Sequence, residues 1–195
     1  MPRPQLTDAE IDSFREAACL ASLEIISESG VDGLTVRELG KRMGCSYAKP
    51  YRYFGDKPRL IDMVRAHAFD RFAAYMSGDD PAAAEVPLEN RYLKFATSQP
   101  AAFEIMFGFR QSYVSTETRA AEDRAWQVCT KPFYEMAERG ETDTDPEVLA
   151  HLVWVSLHGL SALTLSDQLT HGMDEQAINL ELFRFLTPAL ANQNN

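Results

Sequence analysis

Positive charge is scarce in this sequence. Nineteen lysines and arginines face 29 aspartates and glutamates, a formal net charge of −10. That balance excludes a protein that coats nucleic acid over its whole surface. Cysteine is scarce as well. Cys19, Cys45 and Cys129 are odd in number and far apart, so they build neither a disulfide framework nor a Cys-x-x-Cys metal site. They read as reduced, small apolar side chains of a cytosolic protein. Glycine and proline are rare inside long stretches, and no apolar–polar alternation marks a strand. No uninterrupted apolar run approaches the roughly 20 residues of a membrane span. Met1 to Glu10 is polar and lacks an apolar export signal, so neither a membrane protein nor an exported one is expected. There is no Gly-x-Ser-x-Gly elbow, P-loop, dinucleotide fingerprint or metal-ligand run. Neither an enzyme nor a cofactor is therefore expected.

What remains is helix-forming sequence with a 45% hydrophobic share, ample for a core. Thr7 or Asp8 can cap a first helix to about Ser29, with an inner stripe of Ile11, Phe14, Ala18, Ala21 and Ile25. Gly30 closes it. Thr35 stands three residues before Glu38, the spacing of a capping box, and opens a short helix to about Met43. Gly44 permits a tight turn. Ser46 can cap a second short helix, Tyr47 to Phe54, and Gly55 ends it. Asp56 can cap a fourth helix to about Met76. Ser77 to Pro87 reads as a linker or irregular turn. Further helices are expected at about 88–99, 100–109, 116–139, 146–169 and 174–191, before a polar tail, Asn192–Asn195. The expected fold class is all-α: a helix-turn-helix domain over 1–56, then a larger helical body over 57–195.

The few positive charges are unevenly placed. Met1 to Leu60 holds nine basic and nine acidic residues, so all the excess acid lies beyond it. Arg37 to Arg59 carries seven basic residues against Glu38 and Asp56. A local excess on an acidic protein can attract a phosphate backbone while the rest of the surface repels it. Two short helices joined by a tight turn suit the same partner, because the second can enter a major groove about 12 Å wide. Val36, Leu39 and Met43 can pack inward with Cys45 in the turn. Tyr47, Ala48, Lys49 and Arg52 are left outside.

The run Gly30-Val-Asp-Gly-Leu-Thr-Val-Arg-Glu-Leu, then Met43-Gly-Cys-Ser, then Tyr51-Arg-Tyr-Phe-Gly-Asp-Lys57 resembles the DNA-binding domain of regulators of the tetracycline-repressor (TetR) family. Lys49 and Pro50 depart from the commonest pattern, which has threonine and leucine there. Pro50 is placed at about the fourth position of its helix, where it loses at most one helical hydrogen bond. The resemblance implies a palindromic double-stranded DNA operator read by a homodimer, with repression the commoner outcome. It implies that Arg37 reaches a base edge or phosphate. Tyr47, Ala48 and Lys49 would face bases, with Lys49 able to address guanine. Tyr51 and Tyr53 would place hydroxyls on phosphates, unless their rings are core. Lys57 would add a phosphate contact beside a helix N-terminus. Thr35, Ser46 and Arg52 complete the expected DNA-binding set.

The stretch from Tyr92 to Phe109, and later Trp154-Val-Ser-Leu-His158-Gly159, resembles the C-terminal domain of a branch of that family named for a Trp-His-Gly motif. Two jobs fall to this body. The segment 146–169 is apolar on nearly every side, and Ile178, Leu182, Phe185, Leu186 and Leu190 recur at helical spacing. Two such helices from each of two chains would form a four-helix dimer interface. The second job is sensing. Phe69, Phe95, Phe103, Met106, Phe107, Trp126, Phe133, Trp154 and His158 are candidates to line a pocket for an apolar or aromatic small molecule, with ordinary core packing the alternative for each. His151 and His158 lie seven apart without further ligands, so no metal is expected. The rival to a DNA reader is an interaction module that has kept the helix-turn-helix alone. The outward Arg37, Lys49, Arg52 and Lys57 argue against it.

Overall fold

The computed structural model of the protein describes residues 7–108 and 113–186. Among them are nine α-helices, one short 3₁₀ turn and no strand. The first helix, α1 (Asp8–Gly33), opens on a full capping box. The Thr7 N–H donates to the Glu10 carboxylate at 2.8 Å, and Thr7 Oγ1 accepts the Glu10 N–H. The Thr7 N–H, and then the Thr7 hydroxyl at 2.9 Å, donate to the Glu10 carboxylate and hold it below its usual range. Gly30, at φ +66°, breaks the helix inside its last turns, a backbone state that costs glycine little.

Helix α2 (Val36–Arg42) takes only half of its expected box. Thr35 Oγ1 accepts the Glu38 N–H at 3.0 Å. The Glu38 carboxylate turns instead to Lys41 Nζ, one turn on, at 3.6 Å. Gly44 has φ +64°, and the Cys45 N–H returns to the Gly40 carbonyl at 2.9 Å. A side chain on Gly40 would meet the Tyr47 backbone at 3.0 Å, so glycine lets the next helix approach closely.

That helix, α3 (Ala48–Phe54), starts one residue later than expected. Ser46 does not cap it. Tyr47 occupies the cap position with helical backbone angles and no side-chain bond, and the Ser46 carbonyl receives the Lys49 N–H at 3.0 Å. Pro50 is therefore the third helical residue, not the fourth. Its missing N–H falls where no intrahelical bond exists, so no helical hydrogen bond is lost. Its ring is buried.

Helix α4 (Lys57–Ser77) is capped by Asp56, whose carboxylate accepts the Arg59 N–H at 3.0 Å. The stretch read as a linker or irregular turn is a turn. Asp80 caps the 3₁₀ turn at Pro81–Ala83, and Arg91 donates to the carbonyls of Met76 (2.8 Å) and Val86 (3.0 Å). The remaining helices are α5 (Leu88–Ser98), α6 (Pro100–Phe107), α7 (Thr116–Glu138), α8 (Pro146–Leu165) and α9 (Glu175–Leu186). Helix α8 stops four residues short of Leu169, where Ser166 caps it and Asp167 turns to φ +52°. Phe109, Leu190 and Asn192–Asn195 lie outside the described residues.

The chain packs as two compact units, residues 1–69 with 101–122 and residues 70–100 with 123–195. Helices α4 and α7 each contribute to both. The boundary expected after residue 56 falls at the start of α4, and the division between the units falls within that helix. In the first unit, Leu34, Leu39, Phe54, Leu60 and Val64 are buried. In the second, α5, α8 and α9 pack on one another. Phe72 and Tyr75 meet Phe95 there at 5.0 and 5.5 Å. Buried Asn179 of α9 donates to the Glu89 carbonyl and to Asn90.

Helix α8 is apolar on average although no uninterrupted apolar run marks it. Its 20 residues, with mean hydropathy 1.6, are long and apolar enough to cross a membrane by length and composition. Run length missed this because Glu147, His151, Ser156 and His158 interrupt the apolar stretch while leaving its average high. A core helix of a soluble protein passes the same test.

Candidate nucleic-acid interface and apolar cavity

The turn at Gly44 sets α3 against α2 so that one face of α3 is buried by Pro50 and Phe54 and the other is open. Tyr47 (67% exposed), Tyr51 (60%), Ala48, Lys49 and Arg52 lie on that open face. Arg37 and Thr35 are exposed at the start of α2, and Ser46 in the turn. Leu39 is fully buried beneath them, with Val36, Met43 and Cys45 partly so.

The basic residues of this segment are not equivalent. Arg42 is tied to Glu28 and Glu24 of α1, which neutralises it and braces α2. Lys41 pairs with Glu38. Arg37, Lys49, Arg52 and Lys57 make no ion pair among the described residues. Lys49 Nζ rests 4.4 Å above the Phe14 ring, a contact worth about 0.5–1 kcal/mol at an exposed site. A base or phosphate can compete with that. Lys57 Nζ donates to the Asp32 carbonyl at 3.0 Å, which leaves two ammonium protons for another acceptor. Tyr53 is placed differently from Tyr51. Its ring packs 4.6 Å from Phe14, and its buried hydroxyl has no partner among the described residues.

Two polar clusters fasten α4 within the first unit. Buried Asp62 accepts the Ser115 N–H at 3.1 Å and the Thr118 hydroxyl at 2.9 Å. One turn on, Arg65 pairs with Glu122 at 2.8 Å and donates Nε–H to the Met106 carbonyl at 3.1 Å. Both α6 and α7 are thereby joined to α4.

In the second unit, α5, α7 and α8, with Met76 of α4 and Phe183 of α9, line a partly open apolar cavity of about 60 Å³. Trp126, Phe133 and Trp154, all expected site residues, line it. The two tryptophans meet edge to face at 5.9 Å. His158 stands behind the wall, with Nδ1 3.1 Å from the Tyr92 hydroxyl. Burial lowers its pKa and keeps the ring neutral. Burial also raises the Tyr92 phenol and pushes the Cys129 thiol up to about 12. Cys129 is thus a poor thiolate and a poor redox sensor.

Phe95 is not on this lining and packs in the core of the same unit. Phe69, Phe103, Met106 and Phe107 belong to the first unit, where Phe107 meets Phe69 at 5.7 Å and Phe103 at 5.1 Å. Tyr92, Cys129 and Leu157 line the cavity but are absent from the expected set. A signal for two of them was available: Cys129 falls three residues after Trp126, and Leu157 three after Trp154, the spacing of one helical face. Pro132 gave another. Inside α7 it cannot donate to the Val128 carbonyl, and both residues are on the cavity wall. Among the described residues no group of three His, Cys, Asp or Glu could hold a metal ion.

A family model described as "Tetracyclin repressor-like, C-terminal domain" matches residues 88–190, just over half of the chain. The chain belongs to the tetracycline-repressor-like family of transcriptional regulators. The class D tetracycline repressor of Escherichia coli is 34% identical over 61 residues, which are 31% of this chain and 28% of that protein. The chain thus matches little more than a quarter of the length of this curated relative. A structure of a protein of unknown function from Rhodococcus sp. RHA1 superposes with TM-score 0.74 at 19% identity, covering 95% of this chain and 97% of that one. The transcriptional regulator FadR of Bacillus subtilis, in complex with stearoyl-CoA, superposes with TM-score 0.66 at 14% identity, covering 89% and 98%. At such identities these two structures show the fold.

Proposed function

We propose that the protein is a sequence-specific DNA-binding repressor that reads a palindromic operator as a cytoplasmic homodimer and responds to a small apolar effector. The observation that carries this reading is the open face of α3. Tyr47, Lys49, Tyr51 and Arg52 are exposed on the second helix of a helix-turn-helix, with no acidic side chain within α3. An acidic protein that holds unpaired Arg37, Lys49, Arg52 and Lys57 on and beside its helix-turn-helix is built to meet a groove there. Lys49 is assigned to a base edge, Tyr51 and Lys57 to phosphates, and Tyr53 to packing.

The exposed apolar residues of α8 and α9, among them Val155 (61%) and Phe185 (84%), are assigned to the dimer. The body is assigned to the branch named for a Trp-His-Gly motif, a reading that rests on Trp154, His158 and Gly159. The cavity beside Trp154 is assigned to the effector. The Bacillus subtilis regulator FadR, which shares this fold, has been solved in complex with stearoyl-CoA, a molecule with a long hydrocarbon chain. The effector favours a spacing of the two reading heads that no longer matches adjacent major grooves. No catalytic role or cofactor is assigned.

The test is fluorescence anisotropy of the full-length protein with the DNA flanking its own coding sequence, at two salt concentrations, beside an unrelated duplex of equal length. Selective binding that weakens with salt is the expected result. Equal, weak binding to that duplex and to every flanking fragment sinks the operator reading in favour of an interaction module.

A further inference from the structure

We propose that the group received by the cavity of α5, α7 and α8 is uncharged and largely hydrocarbon, about the size of a medium-chain alcohol, and that the cavity rejects carboxylates and amines. This names the chemical class of the effector and rests on the sensor reading above. The first ground is the wall. None of the side chains lining the cavity is an aspartate, glutamate, lysine, arginine or histidine. A charge entering there would lose its hydration and gain no counter-charge. The raised Cys129 thiol and Tyr92 phenol agree, since both record a medium that disfavours charge. Neutral His158 supplies none either.

The second ground is size. An apolar cavity of about 150 Å³ admits benzene, so the 60 Å³ here is too small for an effector of ordinary size without movement of the wall. The occupant must displace wall side chains to enter. A slender chain does this with less displacement than a bulky ring system.

The chain has only two tryptophans, and both are on this wall. Indole emission therefore reports occupancy of the cavity without reference to DNA. Full-length protein is titrated at neutral pH with octan-1-ol, octanoate and n-octylammonium, three probes of one shape and three charges. The expected result is a saturable change with octan-1-ol, and binding at least about tenfold weaker for both ions. Octanoate or octylammonium binding as tightly as octan-1-ol overturns the proposal. So does the absence of a saturable change with all three.

Anisotropy on the same preparation separates the two readings. Selective DNA binding that persists while the probes fail leaves the regulator standing and removes only the effector class. Ala150→Leu, which fills the cavity from α8, should abolish the octan-1-ol response. Cys129→Met, which fills it from α7, provides the same test should the first variant lose its helical circular dichroism. Unchanged octan-1-ol affinity in a folded variant also overturns the proposal.

Discussion

Tyr51 and Tyr53 stand two residues apart on one helix and have opposite surroundings. Tyr51 is mostly exposed, whereas the Tyr53 ring is packed on Phe14 and its buried hydroxyl has no partner among the described residues. A buried unsatisfied hydroxyl stabilises nothing, and its removal can be neutral or favourable. Tyr53→Phe should therefore leave both the unfolding midpoint and operator affinity unchanged or slightly raised. Tyr51→Phe should weaken all DNA sequences alike by about 0.5–1.5 kcal/mol, the worth of one hydrogen bond. Thermal melts and salt-dependent binding titrations of the two variants check this. Equal losses of affinity would place both hydroxyls on the backbone. The exposed face of α3 was legible in the sequence because its charges have no acidic neighbours to pair with. The distinction between the two tyrosines was not, since it depends on where α1 sends Phe14.

At the scale of elements, caps and breaks follow local chemistry. Thr7, Asp56 and Gly30 act where the sequence puts them, each through a contact spanning a few residues. Ser46 fails because its neighbour Tyr47 is already helical, which leaves the serine hydroxyl one residue too early. The joining of α4 to α7 was invisible for another reason. Asp62 and Thr118 are 56 positions apart, and no periodicity links them. Thr118→Val keeps the shape of the side chain and removes the donor to a buried carboxylate. The expected cost is about 1.5–3 kcal/mol, a fall in the unfolding midpoint of about 3–10 °C. A differential scanning measurement decides it. An unchanged midpoint would mean that the Ser115 N–H alone satisfies Asp62.

At the scale of the whole molecule, the outward apolar residues need a partner. Val148, Leu152, Val155 and Leu163 on α8, with Leu180 and Phe185 on α9, are all more than two-fifths exposed. Apolar patches of this extent on a soluble chain mark an interface. Light scattering at micromolar concentration should give twice the chain mass of 21.9 kDa. Val155→Glu should shift that mass towards one chain and weaken operator binding in parallel. A wild-type mass of one chain would refute the dimer. The cavity also belongs to this scale. Its wall residues are spread along the chain from Met76 to Phe183, so the sequence supplied aromatic candidates without showing which would meet. Three of them line the wall, and others serve as core in both units.

The sequence by itself determined the all-helical class, the order of the helices, the helix-turn-helix and its open cationic face. These rest on caps, glycine turns and 3.6-residue periodicity, all of which act over a few neighbouring residues. Only the tertiary structure decided which aromatics enclose the cavity, which tyrosine keeps a free hydroxyl, and which polar groups fasten α4. Those outcomes depend on contacts between residues tens of positions apart, where burial and the pairing of buried polar groups replace local spacing as the deciding energies.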